Sequence, residues 1–359
     1  MTQNAILFIP DISGFTEFVH NTDIYHSRHI ISELLELLID TNSMGLELAE
    51  VEGDALFMYK LGDHLDLEVI NQQIEQMYLA FHTHLKRYEF QRICNCGACS
   101  SAYNLSLKFI VHFGEIEFIQ IKNSRKPYGS NVIIAHRLLK NEVPIDEYAI
   151  FTKDVISQTN ITLTNSVSTA YDFGNITFSY TPLHDLKVKL PEVKPIPDDI
   201  PKHKLFDNTE IIQVPVLELY EVISNFDYRL LWVKGVNRLE YEKNKVNRSG
   251  LKHQCLINKK QIEQTTIKKD VDKNQLVYGE STKEIPFTKR VNMYFVLEDI
   301  GNGFTKLNIE VFADFKPFGI LMKSLMKKNF QKSISENIKA LILLIDSGFT
   351  TEQTNNQTS

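Results

Sequence analysis

The chain has 359 residues, of which 43% are hydrophobic and 23% are charged, and its formal net charge is −6. This size and apolar content suit one large domain or two ordinary ones with buried cores. No apolar run approaches the roughly 20 residues of a membrane span, and the N-terminus lacks a secretion signal, so we expect a cytoplasmic protein. Residues 1–190 hold 14 Lys and Arg against 23 Asp and Glu, which argues against nucleic-acid binding there.

The first predicted elements place two carboxylates at strand ends. A buried strand is predicted over residues 5–9, and Asp11 follows it, before a turn and a helical pattern that reaches about residue 38. A hairpin is predicted over residues 46–60, with Asp54 at its turn. Adjacent strands would bring the two carboxylates side by side. The pair therefore predicts a site for a hard divalent cation, Mg²⁺ or Mn²⁺.

The next elements continue the mixture of helices and strands. Helices are predicted over residues 67–88 and 131–139, and a long strand or hairpin over residues 105–121. Short strands are predicted at residues 149–151 and 176–180. This mixture predicts an α+β fold.

Four segments together resemble the catalytic domain of the class III nucleotidyl cyclases, the adenylate and guanylate cyclases. They are F-x-P-D-I-S-G-F-T at residues 8–16, E-G-D-A-L-F at 52–57, V-H-F-G-E-I at 111–116 and Y-G-S-N-V-I-I-A-H-R-L at 128–138. Four motifs in the family's order and spacing form a more specific signal than any one of them. The resemblance implies a ferredoxin-like α/β sandwich over residues 1–190.

The resemblance also implies roles for the matching residues. Asp11 and Asp54 would hold Mg²⁺ or Mn²⁺ together with the carbonyl oxygen of Ile12. Arg137 would stabilise the transition state, because a guanidinium fork suits a phosphate whose charge is redistributing. The phosphates of a nucleoside triphosphate would meet backbone N–H groups of a turn. That turn consists of Ser13, Gly14, Phe15 and Thr16. Since the family's aspartates and arginine come from opposite subunits, a homodimer is implied.

Three positions depart from the pattern of the cyclases. Ile133 stands where the family has an asparagine that orients the ribose, and isoleucine cannot form that hydrogen bond. Glu50 and Lys126 stand where the family has a base-reading lysine and its partner acid, so the charges are exchanged. The two residues pair with each other, read a different base, or mark a loss of base recognition. The metal and phosphate residues are thus retained, while the ribose and base residues are not.

Three of the four cysteines, Cys94, Cys96 and Cys99, form a C-x-C-x-x-C cluster. Thiols of a cytosolic protein stay reduced, so a disulfide framework is not expected. Three interpretations are open. The cluster binds Zn²⁺ with a fourth ligand such as His82 or His84, forms a redox-sensitive turn, or is a tight loop of small residues.

A linker is predicted over residues 191–207, because four of the 11 prolines lie between residues 191 and 201. A second domain is predicted over residues 208–347. Its elements are a strand, a short helix, several further strands and a long helix that begins near residue 319. The polar residues 348–359 are predicted to be a disordered tail.

The order of elements in the second domain resembles the helix-grip fold of START-like, or Bet v 1-like, proteins. In that superfamily a curved sheet wraps a long helix around an apolar cavity. Many members bind lipids or other hydrophobic molecules, so a hydrophobic ligand is implied. Tyr228, Trp232 and Tyr294 are candidates to line the cavity, with ordinary core packing as the alternative.

The leading hypothesis is a metal-dependent, cyclase-like enzyme that converts a nucleoside triphosphate into a cyclic nucleotide and pyrophosphate. A hydrophobic ligand in the second domain would regulate it. Two alternatives are open. The chain is a catalytically inactive sensor of nucleotide or metal, or it binds a lipid and uses the cyclase-like domain for dimerisation.

Overall fold

We describe the protein from a computed structural model, which defines residues 2–20, 24–93, 97–159, 165–171, 174–194, 199–243, 245–257 and 260–348. Part of the predicted linker (residues 195–198) and the predicted tail from residue 349 lie outside these ranges. The chain divides into an N-terminal unit, Met1–Glu89 with Gly97–Val193, and a C-terminal unit, Phe90–Cys96 with Lys194–Ser359. Every helix in the described ranges is too short or too polar to cross a membrane.

The N-terminal unit mixes strands and helices along its length. Its strands are β1 (Gln3–Ser13), β2 (Glu47–Glu52), β3 (Ala55–Leu61), β4 (Ser106–Ile121), β5 (Ser124–Tyr128), β6 (Tyr148–Thr152), β7 (Ser166–Tyr171) and β8 (Gly174–Pro182). Its helices are α1 (Phe15–His20), α2 (Ile24–Asp40), α3 (Leu67–Gln91), α4 (Gly97–Ser101), α5 (Ser130–Arg137) and α6 (Lys153–Thr159).

These strands form one sheet in the order β2-β3-β1-β4-β6-β8-β7, and β5 pairs with the far end of β4. The central strand β1 is antiparallel to both β3 and β4, whereas β6 is parallel to β4. The run from β1 through β4 is therefore a βαββαβ unit, the arrangement expected for a ferredoxin-like sandwich.

Strand β1 is longer than the five residues that the apolar pattern predicts. Residues 10–13 continue the ladder with β4, so that Asp11 lies opposite Lys108 and Ser13 lies opposite Ser106. The apolar residues of β1 are almost fully buried, because the strand is central and packed on both faces. One face packs against Ala135 and Leu138 at the end of α5. The acidic end of β1 is thus held on a rigid strand.

The C-terminal unit is built around an antiparallel sheet. Its strands are β9 (His203–Ile212), β10 (Val236–Glu240), β11 (Lys252–Ile257), β12 (Lys260–Ile267), β13 (Gln275–Thr282), β14 (Thr288–Asp299) and β15 (Thr305–Phe315). Its helices are α7 (Val216–Ser224), α8 (Arg229–Trp232) and α9 (Lys323–Asp346). The strand order is β10-β11-β12-β13-β14-β15-β9.

One short segment outside the predicted second domain belongs to this unit. The Tyr220 hydroxyl donates a hydrogen bond to the Ile93 carbonyl at 2.6 Å, and the Ser249 N–H donates to the Gln91 carbonyl at 2.9 Å. The residues at the end of α3 are therefore part of the C-terminal unit, although the predicted boundary assigns them to residues 1–190.

Candidate functional site

Asp11 and Asp54 lie at the same end of two neighbouring strands. Asp11 is in β1 and pairs in register with Ala55, the first residue of β3. The N–H of Ile12 donates a hydrogen bond to the Asp54 carbonyl at 3.1 Å. Gly53 has φ 64°, which lets the β2–β3 turn close tightly in front of Asp54. The structure thus brings together the two acids that the sequence singles out.

Lys108 is a third charged residue at this position, and it was not among the residues predicted from the sequence. It lies opposite Asp11 in β4, and its Nζ is 3.0 Å from Asp11 Oδ2. Both side chains are largely buried, at 18% and 10% exposure. A lysine inside the apolar run Leu107–Val111 was an available signal, because a lysine is seldom buried without a charged partner.

The charges of this cluster are unbalanced. Burial raises the pKa of Asp11, and the nearby Lys108 ammonium offsets only part of that effect. Burial and repulsion from Asp11 raise the pKa of Asp54 to about 6. Two carboxylates thus share one ammonium, and the second carboxylate is ionised at a cost. Oxygen ligands with excess negative charge fit a hard divalent cation.

The predicted phosphate turn follows directly on β1. Ser13 ends the strand, and its hydroxyl donates a hydrogen bond to the Asp146 carbonyl at 3.3 Å. Gly14 has φ 86°, a left-handed conformation that favours glycine, and it is exposed. Phe15 begins α1, and Thr16 is exposed. The four residues form a tight turn beside Asp11.

Glu50 and Lys126, the charge-exchanged pair, lie together. The Lys126 ammonium donates to Glu50 Oε2 at 2.8 Å, and both side chains are partly exposed, at 38% and 43%. Glu50 is in β2, and Lys126 is in β5. Of the three possibilities for these residues, the structure contains the first, in which they pair with each other.

Arg137 and Ile133 are exposed on α5, and Ile133 is 52% accessible. Both line a surface cavity whose other residues are Val132, His136 and Lys140. The nearest alternative to the missing asparagine, Asn131, points elsewhere. Its Oδ1 is 2.9 Å from His112 Nε2, and its Nδ2 donates to the Glu115 carbonyl at 2.8 Å. The accessible face of α5 therefore carries a cation and an apolar side chain.

The thiol cluster is only partly within the described residues, since Cys94 and Cys96 fall outside them. Cys99 is buried in α4, with its Sγ 3.6 Å from His26 Nδ1. The two histidines suggested as a fourth zinc ligand have carboxylate partners. His82 is 2.9 Å from Glu147, and His84 is 3.2 Å from Glu33. Among the described residues, no three His, Cys, Asp or Glu side chains group as a metal site.

Among the described residues, the three aromatic side chains suggested as a ligand cavity have different surroundings. Trp232 lines a small cavity beneath α9 and meets Phe295 edge-on, with ring centroids 6.1 Å apart. Tyr294 packs with Val277 and Val296 on the opposite face of β14. Tyr228 is buried just before α8. The cavity measures about 30 Å³, room for about one water molecule and not for a lipid.

Arg229, which lines this cavity, forms a buried ion pair with Glu280 that was not predicted from the sequence. Arg229 and Glu280 are 3% and 2% exposed, and the guanidinium donates to Glu280 Oε1. The Tyr278 hydroxyl donates to the same oxygen at 2.6 Å. Burial lowers the pKa of the neighbouring His253 to about 4, so this imidazole is neutral. Both members of the pair are thus charged side chains in the interior of the C-terminal unit.

Comparison with known proteins identifies one family model and one curated relative. A model described as a protein of unknown function (DUF2652) matches residues 31–148. The uncharacterized protein Rv2561/Rv2562 of Mycobacterium tuberculosis is 33% identical over 178 residues, which cover 49% of this chain and 80% of that protein.

Solved structures similar to about half of the chain include nucleotidyl cyclases. The guanylyl cyclase Cya2 is 10% identical, with a TM-score of 0.38, over 50% of this chain and 92% of that one. The adenylyl cyclase CyaB from P. aeruginosa is 12% identical, with a TM-score of 0.37, over 51% of this chain and 96% of that one. The identity to the mycobacterial relative extends over most of that protein, so the chain belongs to the same family as Rv2561/Rv2562.

Proposed function

We propose that the N-terminal unit binds Mg²⁺ or Mn²⁺ with a nucleoside triphosphate and converts the nucleotide into a cyclic nucleotide and pyrophosphate. The observation that carries this proposal is the pair Asp11 and Asp54. They meet at the end of two adjacent strands, beside a tight turn, with one more negative charge than Lys108 balances. A purely structural ion pair would not need the second carboxylate.

Each residue of the cluster has a distinct task in this proposal. Asp11, Asp54 and the Ile12 carbonyl would hold the cation, which supplies Lewis-acid activation and charge neutralisation when bound. Lys108 lowers the pKa of Asp11, against the effect of burial, and fixes its side chain through their ion pair. Backbone N–H groups of residues 13–16 orient the phosphates for in-line displacement at the α-phosphate.

Arg137 would act from a second copy of the chain. It lies on the accessible face of α5, whereas the acids lie at the ends of β1 and β3. Large apolar side chains are also exposed on β2, β4, β5 and α5, which supports self-association of this unit. They are Leu48, Val51, Ile121, Tyr128 and Ile133. A homodimer with two composite sites follows, each with acids from one copy and the arginine from the other.

The ribose and base would be held differently from the cyclase pattern. Ile133 offers no hydrogen bond to a ribose hydroxyl, and Glu50 and Lys126 satisfy each other. We therefore expect weak discrimination among bases, because the two residues at the base-reading positions pair with each other.

Complementation between two inactive variants tests the composite site. The purified chain with Mn²⁺ and ATP, GTP, CTP or UTP should release a cyclic product from at least one nucleotide. Asp54→Asn and Arg137→Ala should each be inactive. Mixed in equal amounts, they should regain up to about a quarter of the wild-type rate, because half of the dimers then carry one intact site.

Three outcomes would each count against part of this proposal. If none of the four nucleotides gives a cyclic product, the proposed catalysis by this chain is contradicted. If Asp54→Asn remains active, Asp54 is not part of the catalytic site. Absence of complementation between two variants that are individually inactive would instead place all the residues in one copy.

A non-catalytic sensor of nucleotide or metal is the second candidate, and Ile133 favours it, since ribose positioning is needed for cyclisation more than for binding. Calorimetry with Mn²⁺ and a non-hydrolysable nucleotide, together with the turnover assay, separates the candidates, because a sensor binds the nucleotide and releases no cyclic product. Because Asp54 has a pKa of about 6, protons compete with the cation below that pH. Binding should be several-fold weaker at pH 5 than at pH 7.5, and Asp54→Ala should abolish it. Binding that is independent of pH would contradict the assigned ligand.

We also propose the helix-grip, START-like form for the C-terminal unit. Its seven-stranded antiparallel sheet and its long C-terminal helix α9 support this assignment. Regulation by a hydrophobic ligand would require α9 to separate from the sheet, since the cavity beneath it holds about one water molecule.

A further inference from the structure

The C-terminal unit exposes a group of large apolar side chains around the start of α9. We name this group the apolar tip, and it consists of Phe287, Phe318, Ile320, Leu321 and Leu325. Their exposed fractions are 52%, 85%, 43%, 79% and 51%. Single exposed apolar residues are ordinary, but a group of this size marks an interaction surface.

Backbone contacts join the two loops that carry the apolar tip. The Lys316 N–H donates a hydrogen bond to the Phe287 carbonyl at 3.0 Å, and the Gly319 N–H donates to the Lys316 carbonyl at 2.9 Å. A Cβ on Gly319 would lie 2.1 Å from the Phe287 carbonyl oxygen, so the loops touch where only glycine fits. Phe287 is therefore in direct contact with the segment that carries Phe318, and Ile320, Leu321 and Leu325 follow that segment within two helical turns.

Two residues of the apolar tip have an unfavourable backbone conformation. Phe287 and Phe318 have φ values of 67° and 62°, in the left-handed region that costs a non-glycine residue roughly 1–2 kcal/mol. Asparagine or glycine would relieve this cost, and neither phenylalanine side chain is buried in return. Strain and exposure together indicate that these rings serve binding rather than folding.

Lysines flank the residues of the apolar tip in the chain. Residues 316–332 contain five lysines and no acid, and Lys283 and Lys289 lie before and after Phe287. All seven lysines lack an ion-pair partner among the described residues, and six are exposed, Lys323 being half-buried. They are Lys283, Lys289, Lys316, Lys323, Lys327, Lys328 and Lys332. Glu284 is the one acidic residue in these two segments.

We propose that the apolar tip docks on an anionic lipid bilayer, with its rings and aliphatic side chains inserted at the interface and the lysines on the headgroups. Aromatic and aliphatic side chains beside lysines are the pattern of peripheral membrane binding. Each lysine near an anionic surface contributes attraction that falls off within a Debye length. A second copy of the chain is a poorer occupant, because two such surfaces would oppose unpaired lysines to one another.

Flotation of the full chain with lipid vesicles tests this assignment. Wild-type protein should bind phosphatidylcholine vesicles that contain phosphatidylserine, and it should bind pure phosphatidylcholine at least tenfold more weakly. Raising the salt concentration should weaken the binding. Failure to bind the anionic vesicles, or equal binding to both, would overturn the proposal.

Matched variants locate the binding surface. Phe318→Asn should reduce vesicle binding at least fivefold without loss of stability, because asparagine tolerates the left-handed conformation. Ile211→Thr is its control, since Ile211 is 64% exposed in β9. Lys327→Glu should reduce binding about tenfold. Lys339→Glu, about 18 Å further along the same helix, should change it little.

The same variants separate a membrane from a protein partner. If Phe318→Asn converts an oligomer of the free chain to a smaller species in size-exclusion chromatography, the apolar tip is an interface between copies, and the proposal fails. If Lys327→Glu and Lys339→Glu weaken vesicle binding equally, the binding depends on overall charge. That result would also refute docking by this surface.

Discussion

Asp54→Asn is expected to abolish nucleotide turnover and, in the absence of metal, to stabilise the N-terminal unit by about 1–2 kcal/mol at pH 7.5. The pKa of Asp54 rises from 3.8 to about 6 on folding, through burial and the repulsion of Asp11. A shift of this size corresponds to at most about 3 kcal/mol, and partial solvent access reduces it. Asparagine keeps the shape of the side chain and removes the charge.

The pH dependence of this stability difference has a definite sign. Below about pH 3.8, Asp54 is protonated in the folded and the unfolded chain, so the two proteins should be equally stable. Between that pH and about 6 the folded state binds more protons than the unfolded state, so the wild type loses stability as the pH rises. Above pH 6 the difference in unfolding free energy between Asp54→Asn and the wild type is fully developed and no longer changes with pH. Denaturant unfolding followed by circular dichroism at pH 4 and 7.5 measures it.

A metal ion should reverse the order of stability. Mn²⁺ should stabilise the wild type by binding only its folded state, and it should leave Asp54→Asn unchanged. Glu117→Gln serves as the control, because Glu117 is exposed on β4 and should change stability by less than about 0.5 kcal/mol. A variant that is less stable than the wild type without metal would show that Asp54 is a structural carboxylate.

Glu280→Gln is expected to destabilise the C-terminal unit by about 3–5 kcal/mol, since it leaves the buried charge of Arg229 without a counter-charge. Burial alone would raise the pKa of Glu280, and the charge of Arg229 outweighs burial and holds the pKa below its usual value. The guanidinium stays charged at any accessible pH, so it cannot adapt when its partner is removed.

The two partners of this ion pair should respond differently to removal. Arg229→Met leaves a buried carboxyl group that can take up a proton, so its cost should be smaller and should shrink as the pH falls. The double variant Arg229→Met with Glu280→Gln should recover most of the loss.

Fluorescence of Trp232, the only tryptophan, reports unfolding near the pair, because the guanidinium of Arg229 lies 5.7 Å from the centre of its ring. If the double variant is as unstable as Glu280→Gln alone, the loss comes from packing and not from an unpaired charge.

Local sequence patterns predicted much of the secondary structure and the two acids of the candidate site. The apolar run of β1 and the Gly-Asp turn before β3 identified Asp11 and Asp54, because a strand end and a tight turn are both encoded by adjacent residues. The helical spacing of α3 and the length of β4 were also readable from the sequence, within a few residues. The local pattern did not show which face of the sheet Tyr294 occupies. This tyrosine precedes Phe295 directly, and neighbouring strand residues face opposite sides of a sheet.

Only the tertiary structure decided which charges meet. The partners Asp11 and Lys108, Glu50 and Lys126, and Arg229 and Glu280 are separated by between 51 and 97 positions in the chain, and strand order and register bring them together. No local periodicity encodes such a register, because it depends on how all the strands of a sheet pair. The protonation of the candidate site depends in turn on these contacts. For that reason the sequence identified the two acids, whereas the fold determined their pKa values and placed the Lys108 ammonium beside Asp11.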